Sequence, residues 1–378
     1  MTAELIQEMA EAASRLLGSL DPAQRERATR PFDDEAARTE WYYTPNARPG
    51  IPMIELDARQ QQHVRRLLRT GLSEGGYNTA ATIMGLEAIL DPAENWAQWQ
   101  YLGYDRLRPS INRDPNMYFV CVFGQPGGGR WAWGFGGHHI SVHHTVVEGR
   151  LTTTPCFLGA HPAVSPLQPG FFLEPLAAER KLGLELFHSL DASQRAAATV
   201  SAVAPHDTML VNRPYVEDSA IALPPWIIMG TKAMPENMYP ARIARFEEEF
   251  AHVLRSDEQL EPLRYEASRP KGISVSALAS GQQSALRELI GIYLHRLPDA
   301  IAETEILRVR EDWPALHFAW AGGDDGQVAH YYRIQGTSLL IEYDSPFDDG
   351  CHIHAVWRDA RADFGRSLLS VHYAEAHA

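Results

Sequence analysis

The chain has 378 residues, a formal charge of −14 at pH 7, 45% hydrophobic residues and 22% charged ones. These are the proportions of an ordinary globular protein, and the length suits two domains or one large compound domain. A net negative field repels nucleic acid and anionic membranes, so no nucleic acid and no membrane is expected as a main partner. Three cysteines, Cys121, Cys156 and Cys351, are too few for a disulfide framework. None lies in a C-x-x-C pair, which fits a reducing, cytoplasmic compartment and argues against a thiolate zinc site.

Residues 1–20 read as an amphipathic helix rather than a signal peptide, and "DPAQRERATRPF" starts a second helix. "DARQQQHVRRLLRTGLSEGGYNTAATIMGLEAIL" reads as two helices broken at "SEGG", with Leu68, Leu72, Ala80, Ile83, Leu86 and Leu90 supplying the apolar spacing. "MYFVCVFGQPGGGRWAWGF" is two β-rich runs around a glycine turn, a hairpin signature. "HHISVHHTVVEGRLTTTPCFLG" reads as further strand. Residues 174–202 look helical, and the stretch after them is irregular and proline-rich. "PARIARFEEEFAHVLR" and "SALASGQQSALRELIGIYLHRL" read as helices. The end returns to β in "ALHFAWAGG", "HYYRIQGTSLLIEYD" and "CHIHAVWRD", and "DFGRSLLSVHY" closes as a short helix. No apolar run approaches the ~20 residues that span a bilayer.

The chain echoes itself. At a spacing of 222, Gly50 meets Gly272, Ile51 meets Ile273, Leu56 meets Leu278, Gln60 meets Gln282, Gln61 meets Gln283 and Leu67 meets Leu289. At a spacing of 199, Phe119 meets Phe318, Gly124 meets Gly323, Gly127 meets Gly326 and Gly137 meets Gly336. Aligned glycines imply matching turns. The expected fold is α+β: two pseudo-repeated halves, 1–205 and 206–378, each with helices followed by an antiparallel meander, around a shared cleft and forming one compound domain if the halves merge.

Chemistry concentrates in histidine. Four of sixteen histidines, His138, His139, His143 and His144, fall within "GGHHISVHHT". On a strand, His139 and His143 stand ~13 Å apart at 3.3 Å per residue and cannot share an ion. His352 and His354 in "CHIHAVWRD" are i, i+2, about 6.6 Å apart on one face, a spacing that lets two imidazoles meet one metal. His139 or His138 would complete a three-nitrogen site with an open position. His143 and His144 are expected at the surface or against a partner. Glu342 sits in the apolar run "SLLIEY", where a carboxylate is costly unless paired, so it is a candidate base, ligand or ion-pair partner of Arg333 or Arg358. Asp344 lies in the same run, and Asp359 and Asp363 follow the H-x-H pair, with helix capping as the plain reading of the last two. His330 frames the "HYYRI" strand. No P-loop, G-x-S-x-G or H-E-x-x-H occurs, and "GQPGGG" and "GFGG" lack the strand–helix setting of a nucleotide loop.

The runs "GLSEGGYNTAATIMGLEAIL", "YFVCVFGQPGGGRWAWGFGGHHIS" and "TTTPCFLGAHPA", with the ending "HYYRIQGTSLLIEYDSPFDDGCHIHAVWRDARADFGRSLLSVHY", resemble the domain-of-unknown-function 3500 family. The family's G-H-H matches Gly137–His139, its Y-Y-R-I matches Tyr331–Ile334, its H-I-H matches His352–His354, and its R-D matches Arg358 and Asp359. Its D-F-G matches Asp363–Gly365 and its H-Y matches His372 and Tyr373. The resemblance implies a fold family without an activity.

The expected function is a metal-dependent enzyme acting on a small-molecule substrate. Its metal ligands are His138, His139, His352 and His354, its catalytic groups Glu342, Arg358, Asp363 and Arg333, and its substrate contacts Trp133, His330 and Tyr332. Zinc hydrolysing an amide or ester leads; iron or copper in an oxygenase or oxidoreductase is the rival. The alternative of another class is a non-catalytic ligand binder with Trp131, Trp133, Tyr331 and Tyr332 as an aromatic platform.

Overall fold

The structure is a computed structural model that describes residues 2–94, 113–224, 228, 244, 247–248 and 251–376. The chain divides into two compact units, one of residues 1–157, 295–304 and 361–378, the other of residues 158–294 and 305–360. Both are α+β with a mixed sheet. Among the described residues no helix is long and apolar enough to cross a membrane.

The first unit opens with helices α1 (Thr2–Ser19) and α2 (Pro22–Ala28), strand β1 (Thr29–Arg30), helix α3 (Glu35–Thr39) and strand β2 (Ile51–Pro52). Helices α4 (Ala58–Gly71) and α5 (Glu74–Glu94) follow, then strands β3 (Phe119–Gly124), β4 (Arg130–Gly137), β5 (Ile140–Val147) and β6 (Arg150–Thr152). Local chemistry sets these boundaries. Asp21 and Asp57 each accept the backbone N–H three residues on, while Gln24 and Gln60 reach back to the cap, so both helix starts are closed by capping boxes. Val64, Leu67, Leu68 and Gly71 form the buried face of α4. Strands β3 to β6 form an antiparallel meander, to which β1 adds in parallel and β2 antiparallel along β3.

Two sequence expectations change in this unit. Gly137 pairs with Ile140, so His138 and His139 are the two-residue loop of a hairpin and not part of a strand. His139 takes φ 60°, a left-handed conformation that glycine or asparagine ordinarily supplies. From Ile140 onward the alternation holds: Ile140, Val142, His144 and Val146 share a face. His144, expected at the surface, is 1% exposed. Its ring stacks on Trp133 at 4.3 Å and its Nε2–H donates to the Gly71 carbonyl at 3.0 Å. A Cβ on Gly71 would stand 2.5 Å from that ring, so only glycine lets α4 come this close.

The second unit holds most of β7 (Cys156–Ala160), the hairpin β8 (Ser165–Gln168) and β9 (Phe171–Leu173), helices α6 (Ala177–Ser189) and α7 (Ala192–Ala198), and strand β10 (Thr199–Ser201). Helix α8 (Asp257–Leu260), strand β11 (Ile273–Ser274) and helices α9 (Ser280–Leu294) and α10 (Asp299–Asp312) precede a second meander. Its strands are β12 (His317–Gly322), β13 (His330–Gln335), β14 (Leu339–Ser345) and β15 (Ile353–Asp359). The helix expected over "PARIARFEEEFAHVLR" falls largely outside the described residues. The closing helix, α11 (Arg366–Ala376), belongs to the first unit.

The second unit's sheet has two unlike faces. Trp320, Tyr332 and Tyr343 are in register on one of them. The rings of Tyr332 and Tyr343 stack at 4.8 Å, Phe187 of α6 stacks on Trp320 at 4.4 Å, and Tyr293 of α9 meets the Tyr332 hydroxyl at 2.7 Å. This is an aromatic core. The other face carries Tyr331, Arg333 and Gln335 on β13, Leu340, Glu342 and Asp344 on β14, and His354, Val356 and Arg358 on β15. Those residues are also buried.

His144 gives the first unit a measurable pH signature. Burial lowers its pKa from an unfolded value near 6.5 to about 4. The unfolded chain therefore binds the proton first. Its stabilising effect is complete above about pH 6.5 and is lost as pH falls towards 4, about 3 kcal/mol in all at ~1.4 kcal/mol per unit. Urea midpoints at pH 7 and pH 4.5 will show His144→Phe losing less stability over that interval than the parent; equal losses would refute the assignment.

Candidate functional site

A polar sheet face inside a protein is stable only where its groups find partners. On the second unit's face those partners come from the proline-rich stretch after β10. The oxygens of Glu342 accept the backbone N–H of Met209 at 2.7 Å and of Leu210 at 3.4 Å, and Oε1 also accepts the Tyr331 hydroxyl at 2.8 Å. Just before, Asp207 Oδ1 accepts the Thr208 N–H at 2.7 Å, which orients its carboxylate. Glu342, a candidate base from the sequence, thus anchors residues 209 and 210 over the sheet.

One register step along β14 stands Asp344, opposite His354 of β15. The Nδ1 of His354 lies 3.1 Å from Asp207 Oδ1 and 3.3 Å from Asp344 Oδ1. Burial pushes Asp344 up to about 6. Burial alone would lower His354, but Asp344 and Asp207 outweigh it and raise that imidazole to about 10. A proton therefore sits firmly on Nδ1, shared towards two carboxylates.

The opposite nitrogen of the same ring points at His352. The two Nε2 atoms are 3.0 Å apart, with the rings edge to face at 81°. Nitrogens bound ~2.0–2.1 Å from one metal are separated by about 2.9 Å at right angles and about 3.4 Å at a tetrahedral angle. The observed gap lies in that range. His352 is itself stacked against His161 at 4.7 Å and Phe347 at 5.4 Å, which limits its rotation. The pattern of two converging Nε2 atoms, one ring backed by carboxylates on its other nitrogen, is the usual support of a metal-bound histidine. Without an ion the same gap is closed by an N–H···N hydrogen bond from the charged His354. Asp207, Asp344 and His354 also bring three ligand atoms within 4.8 Å of one another.

The first unit holds another buried cluster at its histidine loop. His138 Nδ1 lies 2.5 Å from Glu87 Oε1 of α5, a gap that requires a proton between them. Arg113 flanks both, 2.7 Å from Nδ1 and 3.6 Å from Glu87 Oε2. Tyr118 donates to the His138 carbonyl at 2.8 Å, and its ring leaves room only for glycine at position 137. His139 stacks on His138 at 3.8 Å, and its N–H donates to Tyr43.

Of the expected site residues, His352 and His354 meet directly, and Glu342, Arg333 and Arg358 share a sheet face with His354. His138 and His139 lie together in the first unit's loop, and Asp363 opens a buried turn in that unit. Trp133, His330 and Tyr332, expected to touch substrate, are core residues: Trp133 under His144, His330 stacked on Trp320 at 5.5 Å, Tyr332 bonded to Tyr293. His143 bonds Ser141 at 2.9 Å, and His372 stands 3.8 Å from Glu148. Asp207, Glu87 and Arg113 escaped the sequence reading. The signal for Glu87 was present, a lone carboxylate in the apolar run "TIMGLEAIL".

The description "protein of unknown function DUF3500" matches this chain over residues 2–366. The chain belongs to the DUF3500 family. No curated protein and no solved structure matches it. In both the G-H-H and the H-I-H segments that carried the resemblance, an imidazole is held by one or more buried carboxylates.

The ion triad of His354 has a direct test. In metal-stripped protein, His354→Ala leaves two buried carboxylates without their cation and should cost about 3–5 kcal/mol by urea denaturation at pH 7.5. Adding Asp344→Asn to that variant should restore a large part of the loss, whereas simple additivity of the two substitutions would show that the groups do not interact.

Proposed function

We propose that this DUF3500 protein is a metal-dependent enzyme acting on a small molecule, with His352 and His354 as imidazole ligands in the second unit. The observation that carries the reading is the 3.0 Å gap between their Nε2 atoms. Asp207 and Asp344 keep the proton on His354 Nδ1 and fix its ring, which leaves Nε2 as the donor to an ion. Zinc is the favoured ion, and when bound it would lower the pKa of a water for hydrolysis of an amide or ester. Glu342 is assigned to holding residues 209 and 210 in place rather than to base catalysis, since its oxygens are already engaged.

A second reading keeps the same two imidazoles with iron or copper, which imidazole also suits, for oxygenase or oxidoreductase chemistry. The ligand-binder alternative loses support, because its aromatic platform of Trp131, Trp133, Tyr331 and Tyr332 is buried core. His138 and His139 remain candidate ligands on their sequence. Free cysteines at 121, 156 and 351 suit the cytoplasm.

We also infer that the two units are copies of one module. Their internal details support this. The Asp21–Gln24 capping box recurs as Asp191–Gln194, and the bond from Gln24 to Gln60 recurs from Gln194 to Gln282. Gly50 and Gly272 have φ of 109° and 96° and abut the carbonyls of Val120 and Phe318. Those contacts set Val120 against Phe318, one residue off the match of Phe119 with Phe318 expected from the glycines.

Elemental analysis of the purified full chain should find zinc, iron or copper near one per chain. His352→Ala and His354→Ala should lose it, Asp207→Asn should weaken binding about 10–100-fold, and the same assay on His139→Ala reads that residue's part. Zinc would favour the hydrolase and iron or copper the oxygenase. Failure of the wild-type chain to bind any of the three after reconstitution would end the proposal.

A further inference from the structure

Arg333 is 1% exposed. Its Nη1 donates to the Leu263 carbonyl at 2.8 Å, and its guanidinium lies 6.0 Å from the Tyr265 ring centre. Its Nε and Nη2 meet no acceptor among the described residues. Those two nitrogens form one edge of the guanidinium, with parallel N–H bonds, the edge that grips a carboxylate through two hydrogen bonds. Glu342, its cross-strand neighbour, does not fill that role, because its oxygens are taken by Met209, Leu210 and Tyr331.

The surroundings point the same way. Arg358 is buried on the same face, with Nη2 on the Pro214 carbonyl. Gln335, two residues along β13 on the same side, donates Nε2 to the Glu266 carbonyl at 2.7 Å, which fixes the amide's orientation. Its Oε1 is buried and meets no donor. An unmet donor pair and an unmet acceptor therefore sit on adjacent same-side positions of one strand, and burial without partners is unfavourable for each.

We propose that the Nε–Nη2 edge of Arg333 seats a small carboxylate, with Gln335 Oε1 accepting from a hydroxyl or ammonium on the neighbouring carbon. As the substrate class of the enzyme this rests on the metal reading above, but the seat itself is read by binding alone. Titration calorimetry of the full chain with glycolate, acetate and inorganic phosphate tests it, beside metal content measured on the same samples. Glycolate should bind more tightly than acetate. Arg333→Met should abolish glycolate binding, and Arg333→Lys, which keeps the charge and loses the fork, should weaken it at least tenfold and serves if the methionine variant does not fold. Gln335→Met should reduce glycolate to the affinity of acetate. Equal glycolate binding by wild type and the Arg333 variants, tighter binding of phosphate than of glycolate, or no binding by wild type overturns the seat. Metal bound without glycolate fails the seat alone, and glycolate bound without metal fails the enzyme reading alone.

Discussion

A carboxylate on a buried strand must be met by N–H groups or a cation, and the second unit is arranged around that constraint. Asp344 and Glu342 stand two residues apart on the same side of β14. Neither could be enclosed without compensation. Glu342 takes its compensation from the main chain of residues 209 and 210, and Asp344 takes its own from His354. The first of these contacts fixes where the irregular stretch after β10 runs. Because that stretch is pinned, Asp207 is delivered to the same His354 nitrogen that faces Asp344. The histidine is thereby held at Nδ1 by two carboxylates, which turns its other nitrogen towards His352.

That clamp explains why the site was only half legible in the sequence. The meander was readable, since β3, β4 and β12 to β15 alternate or run apolar between glycine turns. The pairing of His352 with His354 was readable from an i, i+2 spacing on a strand. Asp207 was not, because 147 positions separate it from His354 and nothing local in "APHDTML" signals the contact. The same holds for Glu342, whose exposed-looking options of base, ligand or ion pair gave way to backbone N–H groups 133 and 132 positions away. A titratable residue in an apolar strand announces that a partner exists; it does not say which.

The errors in the first unit have a different cause. Strand reading ran through His138 and His139 because the residues after them are β-branched, and two-residue loops are ordinarily recognised by asparagine and glycine. A histidine at φ 60° breaks that rule, and the conformation is held by groups outside the loop: Tyr43 at the His139 N–H, Tyr118 at the His138 carbonyl, Glu87 at the ring. Strain of this kind persists only where the surroundings over-determine it. His144 was expected at the surface or against a partner, whereas strand alternation puts it on the apolar side with Val142 and Val146, where it behaves as an aromatic core residue with a hydrogen bond to the Gly71 carbonyl.

Glycine matching alone pairs Gly124 with Gly323, yet the left-handed glycines that abut the returning chain are Gly124, against the carbonyl of Arg130, and Gly322, against that of Ala329. A slip of one residue exchanges the faces of a strand. At the spacing of 199 Trp133 and His144 match Tyr332 and Tyr343, and both pairs are stacked rings, at 4.3 Å and 4.8 Å. The same spacing matches His143 and Thr145 with Glu342 and Asp344. If the units are copies, the aromatic face was kept in both and the acidic face in one, which is the division expected when packing constrains every copy and chemistry constrains only the copy that performs it.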